Sequence, residues 1–294
     1  MKLITFEKDG RELAGVLSRN ERFVLPVSSL GLPYESMQEL ICGLTAAERQ
    51  LLSDAAAGQD GQGLPVESVR LLAPIPCPAQ DVICLGINYM DHADEASRYK
   101  ADAFGGERPY PIYFSKRVNR AVADHEPIPA HENLVDSLDY ECELAVIIGR
   151  DTKNVSEEEA ADCIFGYTIL NDVSARNVQT RHKQWYFGKS LDGFTPMGPC
   201  ILTDDEVAFP PKLSVRSRVN GELRQNSTTE LLIFGVAHVI SELSSGMTLK
   251  AGTIIATGTP AGVGMGFTPP RFLHPGDVVE CSIEGIGSLT NPVH

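Results

Sequence analysis

The stretch DYECELAVIIGR, residues 139–150, begins with acids and ends in an apolar run. Strand side chains alternate between two faces. Tyr140, Cys142, Leu144, Val146 and Ile148 share one face, which reads as packed core. Asp139, Glu141 and Glu143 share the other, which continues as Ala145 and Ile147. Two carboxylates with Cβ atoms about 6–7 Å apart repel each other unless a proton, a base or a cation intervenes. Two readings are open: a wet edge strand with ordinary surface acids, or a site for a hard cation. The second needs a third oxygen ligand.

That ligand is available after the next strand. Residues 165–170 read as a strand that runs into NDVSARNVQ, which leaves Asp172 at a strand end. Asp172, Arg176 and Gln179 are spaced i, i+4 and i+7, one helical face. By themselves they make a surface helix with a salt bridge. Beside Glu141 and Glu143 they make a site. Three carboxylates plus water give the octahedral oxygen set that Mg²⁺ or Mn²⁺ prefers, and a guanidinium and an amide can hold an anionic substrate there. Lys189, in GKSLDG, could neutralise charge or hold a substrate oxygen; the plainer role is a partner for Asp192.

Two further groups carry chemistry. In CLGINYMDHADEASRYK, residues 84–100, a helix is expected to start near Tyr89 or Asp91, which puts His92 and Glu95 at i, i+3. A carboxylate beside an imidazole raises its basicity and orients it as a general base. A surface His–Glu pair is the plainer alternative. The segment continues into ADAFGGERPYP, a composition that suits a lid. In ATGTPAGVG, residues 256–264, glycines let backbone N–H groups face an anion, and Thr257 and Thr259 add hydroxyls.

The elements that must position these groups follow from pattern. Residues 1–26 read as a hairpin turning at Lys8-Asp9-Gly10, then a short strand. Ser36 with Glu39, and Thr45 with Glu48, are capping boxes of two short helices. AGQDGQG, 57–63, is a flexible break. A small N-terminal α+β domain is expected over 1–72, with Pro74, Pro76 and Pro78 marking its boundary to a larger domain, 73–294. There, 82–85 is a buried strand, Ser156 caps a short helix, and Asn220-Gly221 marks a hairpin. Ser227 with Glu230 opens a helix ended by Gly246, and 276–293 alternates like edge strands. Helices do not alternate regularly with strands, so the expectation is α+β with a mainly β core.

The totals narrow the partners. A chain of 294 residues with net charge −14 is a poor ligand for nucleic acid or an anionic membrane. An anionic substrate stays compatible, because a metal reverses the local field. No run of 18 apolar residues occurs, and the first residues lack a secretory apolar core. Seven cysteines without a C-x-x-C pair read as reduced, mostly buried thiols of a cytoplasmic protein.

In order, the blocks GINYMDHADE, DYECELAVIIG, NDVSARNVQ, QWYFGKSLDGFTPMGP, TGTPAGVG and GDVVECSIEGIGSLTNPV resemble the fumarylacetoacetate hydrolase family across 73–294. The resemblance implies a mixed β-roll with flanking helices, usually a homodimer. It implies Glu141, Glu143 and Asp172 as Mg²⁺ or Mn²⁺ ligands, and His92 with Glu95 as the water-activating dyad. Lys189 would act on the leaving group, and Arg176, Gln179, Thr259 and Lys116 would contact a small keto acid. Two departures stand out. Arg117, Val118 and Asn119 follow Lys116 where many members have proline and a small hydroxyl residue, and Asn177 replaces a common aspartate. The implied activity is hydrolysis of a C–C bond in an acylpyruvate-like 1,3-diketo acid. Oxaloacetate-type decarboxylation and isomerisation of a muconate-like keto diacid use the same site. A protein that binds metal and keto acid without turnover is the rival from outside enzymology.

Overall fold

The computed structural model describes residues 1–58, 63–100 and 109–294. Its frame is an eleven-stranded, almost wholly antiparallel sheet. From one edge the strands run Leu64–Pro65, Phe23–Pro26, Arg11–Leu17, Lys2–Lys8, Met197–Thr203, Ile164–Asn171, Cys142–Ile148, Ile254–Ala256, Val82–Gly86 and Ile112–Lys116. Arg70–Leu72 also pairs with Lys2–Lys8. A second, four-stranded sheet has the order Glu222–Thr228, Ser214–Val219, Val278–Ile283, Gly287–Pro292.

Cys142–Ile148 is an interior strand, buried along its whole length, so the wet-edge reading of its acids fails. Its two faces serve two cores, as period-two alternation requires. Leu144, Val146 and Ile148 pack into a cluster with Val215, Val279 and Ile283 of the second sheet. Ala145 and Ile147 pack into a cluster with Leu3, Val16, Leu40 and Leu52 from the N-terminal elements. Only where the second face runs out of apolar residues do Glu143 and Glu141 appear.

The N-terminal strands join the same sheet, with Leu3 opposite Ile201. The expected hairpins close as anticipated. Asp9 (φ 51°) with Gly10 (φ 73°), and Asn220 (φ 52°) with Gly221 (φ 79°), take the left-handed pairs that match strand twist. Both N-terminal caps form, although at Ser36 the return bond is displaced by one residue, Glu39 accepting from Glu35 N–H at 2.9 Å. The Ser36 hydroxyl accepts from Glu39 N–H at 3.2 Å, and Glu48 reaches back to Thr45 N–H at 2.9 Å.

Three local expectations change. The helix expected after Ser156 is a series of turns ending in a 3-10 turn at Ala161–Cys163, although Glu159 still accepts from Ser156 N–H. The helix placed at Ser227 begins later, at Val236, because the hairpin strand runs through Thr228. Asp172 precedes the helix Arg176–Arg181 instead of sharing its face, since Ser174–Ala175 pairs with Leu138–Asp139 in between. The lid expected over 101–111 lies almost wholly outside the described residues, as does most of the expected break at 57–63. Of seven free cysteines, Cys84, Cys142, Cys163, Cys200 and Cys281 are buried. Among the described residues no helix is long and apolar enough to cross a membrane.

Candidate active site

Strand register brings the acids together. Leu170 lies opposite Glu143 and Asn171 opposite Cys142, so the chain leaving Asn171 passes beside Glu141. Two hydrogen bonds tie that crossing. Asp172 N–H donates to the Glu141 carbonyl at 2.8 Å, and Glu141 N–H donates to Asn171 Oδ1 at 3.0 Å. Glu141, Glu143 and Asp172 are all buried, and each offers an oxygen within 4.8 Å of the others.

Three buried cations answer them. Lys189 Nζ donates to Glu141 Oε2 at 2.8 Å and to Asp172 Oδ2 at 2.7 Å. Lys116 Nζ donates to Asp172 Oδ1 at 2.6 Å and to the Val173 carbonyl at 3.0 Å. Arg176 pairs through Nη1 with Glu141 Oε1 at 2.7 Å and through Nε with Asp139 Oδ2 at 2.8 Å. Nη1 also donates to Gln179 Oε1 at 3.1 Å, whereas Nη2 is buried with no partner among the described residues.

The charges shift one another. Burial alone would raise Glu141, but Lys189 and Arg176, then His92, hold its carboxyl well below the usual range. Glu143 goes the other way: burial first, then the charges of Asp172 and Glu141, push it well up. Burial pulls Lys116 down against the opposing pull of Asp172. Lys189, equally buried, is held above its ordinary value by Asp172 and Glu141. Three buried carboxylates whose oxygens converge, one of them pushed up by burial and by the charges of the other two, fit a small hard divalent cation.

The 256–266 segment reaches these acids through its backbone. Gly258 N–H donates to Glu143 at 2.8 Å, and Gly262 N–H lies 3.0 Å from both Glu95 oxygens. Gly264 N–H at 2.6 Å and Met265 N–H at 3.0 Å donate to Asp139. The anions expected at this glycine-rich loop are therefore the protein's own carboxylates. Gly258 (φ 93°) and Gly262 (φ 103°) hold the left-handed conformations that let the loop do this. Thr257 and Thr259 donate to the Leu144 and Cys142 carbonyls, both at 2.9 Å.

The helix Met90–Tyr99 brings His92 to the same cleft, buried. Its Nδ1 lies 3.6 Å from Glu95 Oε2, close for an ion pair and too far for a hydrogen bond. The cleft wall combines His92, Glu141, Arg176, Gln179, Lys189 and Thr259. Phe114 and Trp185 form an apolar side, edge to face at 5.4 Å.

Of the residues singled out from sequence, Glu95 adjoins His92, and Lys116 stands behind Asp172 instead of on the described cleft wall. Lys189 does not pair with Asp192, which accepts from Asn119 at 2.9 Å. Arg117 N–H donates to Ser190 Oγ at 3.0 Å, so the unusual 117–119 segment ties the strand end to the loop after Lys189. Asn177, half-buried, donates to the Leu134 carbonyl at 2.9 Å. Two residues gained no role from sequence. Asp139 had a signal, its place on the face of Glu141 and Glu143. Gln225 had none: from the second sheet it accepts from Cys142 N–H at 3.1 Å and donates to Thr259 at 2.7 Å.

Several known proteins resemble this chain. The family model described as fumarylacetoacetate (FAA) hydrolase C-terminal matches residues 81–294. Oxaloacetate tautomerase YisK of Bacillus subtilis (strain 168) is 45% identical over 251 residues, 84% of this chain and 82% of that protein. A fumarylacetoacetate hydrolase from Exiguobacterium antarcticum superposes with a TM-score of 0.83 at 41% identity, covering 100% of this chain and 99% of that one. A maleylpyruvate hydrolase from Sphingobium sp. SYK-6, solved with manganese(II) and pyruvate, has a TM-score of 0.78 at 28% identity, covering 100% and 98%.

Proposed function

Because the chain belongs to the fumarylacetoacetate hydrolase family, we propose that it is a divalent-metal-dependent enzyme acting on a small 2-keto acid by proton transfer beside the keto group. Enol–keto interconversion of an oxaloacetate-like acid is the first reading. The observation that carries it is a buried three-carboxylate cluster whose Glu141 lines the cleft beside Arg176, with Arg176 Nη2 unpartnered among the described residues. One feature suits a hard cation and the other suits an acid bound next to it.

In this reading Glu141, Glu143 and Asp172 hold Mg²⁺ or Mn²⁺, which when bound acts as a Lewis acid on adjacent carboxylate and keto oxygens. Arg176 binds the substrate carboxylate through Nη2, and Gln179 and Thr259 border the same anion. Lys189 stands where it can offset negative charge growing on the keto oxygen. His92 takes the proton from the carbon next to the ketone and returns one to the oxygen. Its Nδ1, without a hydrogen bond among the described residues, and the 3.6 Å gap to Glu95 suit a pair that tightens when ligand fills the cleft.

The 45% identity to an oxaloacetate tautomerase supports this reading. Hydrolysis of an acylpyruvate is the second, favoured by the same His92–Glu95 pair, which would then draw a proton from water. A homodimer belongs to the proposal as well. Met90, Leu231 and Ile233 are exposed beside one another where Tyr89 bridges to Leu232, and a second copy would cover them. Sedimentation at monomer mass would remove that part.

The test is an assay with Mg²⁺ and with Mn²⁺ on freshly dissolved enol oxaloacetate, acetylpyruvate and a muconate-type keto diacid. Loss of the enol absorbance with oxaloacetate conserved is the expected result. Acetate plus pyruvate from acetylpyruvate, without tautomerisation, would move the protein to the second reading. Inertness towards all three, with metal bound, would reject both.

A further inference from the structure

The mechanism above uses Arg176 and leaves Asp139 without a task. Asp139 is sealed from solvent, and all its acceptor capacity is taken. Oδ1 accepts from Tyr140 N–H at 2.9 Å and Gly264 N–H at 2.6 Å. Oδ2 accepts from Arg176 Nε at 2.8 Å and Met265 N–H at 3.0 Å. No lone pair remains for a cation, so Asp139 is not a fourth member of the carboxylate cluster, although it shares the strand face of Glu141 and Glu143.

We propose that Asp139 is a positioning residue that sets the plane of the Arg176 guanidinium, so that Nη2, the nitrogen left unpartnered among the described residues, faces the cleft as a pre-formed anion contact. The inference rests on the reading of Arg176 as the substrate-carboxylate contact. A guanidinium is a rigid planar fork, so fixing Nε and Nη1 fixes Nη2. Glu141 and Gln179 fix Nη1; among the described residues only Asp139 fixes Nε. With the fork held before ligand arrives, binding does not have to freeze a long side chain.

The carboxylate is itself held by the loop that also holds Glu143 and Glu95. Gly264 is required for this approach, since a Cβ there would lie 2.6 Å from Asp139 Oδ1. One backbone segment thus aligns the cluster acid Glu143, the dyad acid Glu95 and, through Asp139, the anion-binding arginine.

The test uses oxalate as probe, titrated calorimetrically into Mg²⁺-saturated protein: wild type, Asp139→Asn, Arg176→Gln and the double variant. Asp139→Asn should weaken oxalate binding by about tenfold or more while Mg²⁺ affinity moves by less than about threefold, because the loss falls on orientation alone. In the Arg176→Gln background the same substitution should change oxalate binding by less than about twofold, since a residue acting through Arg176 has nothing left to act on. A purely structural role would give equal losses in both backgrounds, and that result overturns the proposal. So does unchanged oxalate affinity in Asp139→Asn.

A second measurement needs no folded variant at position 139. In the wild type, the Arg176 Nε–H proton, assigned by its disappearance in Arg176→Gln, should exchange far more slowly with water than those of exposed arginines. Fast exchange overturns the proposal. If wild-type protein with Mg²⁺ binds no oxalate, the proposed function fails first, an outcome distinct from wild-type binding that is indifferent to Asp139.

Discussion

Lys116 places its ammonium 2.6 Å from Asp172 Oδ1, and neither side chain is reached by solvent. A buried charge keeps its partner at high cost, because desolvation is offset only while the pair is intact. Lys116→Met should therefore destabilise the fold by on the order of 3 kcal/mol, read from urea unfolding. With one cation gone from beside Asp172, added Mg²⁺ should raise the unfolding midpoint more in the variant than in the wild type. Equal midpoints without metal would show that Lys116 is not needed to balance Asp172.

Asp172 takes part in the carboxylate cluster and in both lysine pairs. Asp172→Asn keeps its volume and removes its charge. Mg²⁺ or Mn²⁺ affinity should fall by about 100-fold, the scale of losing one charged oxygen ligand from a three-acid set. Calorimetry showing wild-type affinity would contradict the ligand assignment.

His92 lines the cleft without being one of the three clustered acids. His92→Ala should lower turnover by about 10²–10⁴-fold, the usual contribution of a general acid–base group, and leave metal affinity near that of the wild type. Full activity in this variant would place the proton transfer on another residue.

Gly188 lies in the short helix Tyr186–Lys189, against the helix that carries Arg176 and Gln179. A Cβ at this position would come within 2.5 Å of the Gln179 backbone nitrogen and 2.7 Å of its Cα. Gly188→Ala should cost about 1–3 kcal/mol of stability and raise KM, because overpacking shifts Gln179 and the adjacent Lys189 together. Unchanged melting temperature and KM would mean that the two helices separate without strain.

Gly221→Ala serves as the contrast. Gly221 has φ +79° in the exposed hairpin turn, with nothing within 4 Å of where a Cβ would stand. The variant should lose about 1 kcal/mol of stability from backbone strain alone, with kcat and KM unaltered. A change in kcat would couple the second sheet to the cleft more tightly than the contacts indicate.

Much of the fold and of the cluster was legible in the sequence, because both are written in short-range pattern. Alternation in DYECELAVIIGR put Glu141 and Glu143 on one face, and Asn220-Gly221 announced its hairpin, since strand period and left-handed turn preference are local properties. Three-residue spacing placed His92 beside Glu95 for the same reason. What local pattern cannot carry is the partner of each group across the molecule. The approach of Lys116 to Asp172, 56 residues away, depends on where the edge strand Ile112–Lys116 takes its place in the sheet. The donation of Gly264 to Asp139, across 125 residues, depends on where a loop returns. Both contacts form only when the sheet order is set, and sheet order is the outcome of two cores closing on either side of one strand. The sequence determined which residues could do chemistry; the tertiary structure alone decided which charges face one another, because burial makes every unpaired charge costly and leaves few arrangements that pair them all.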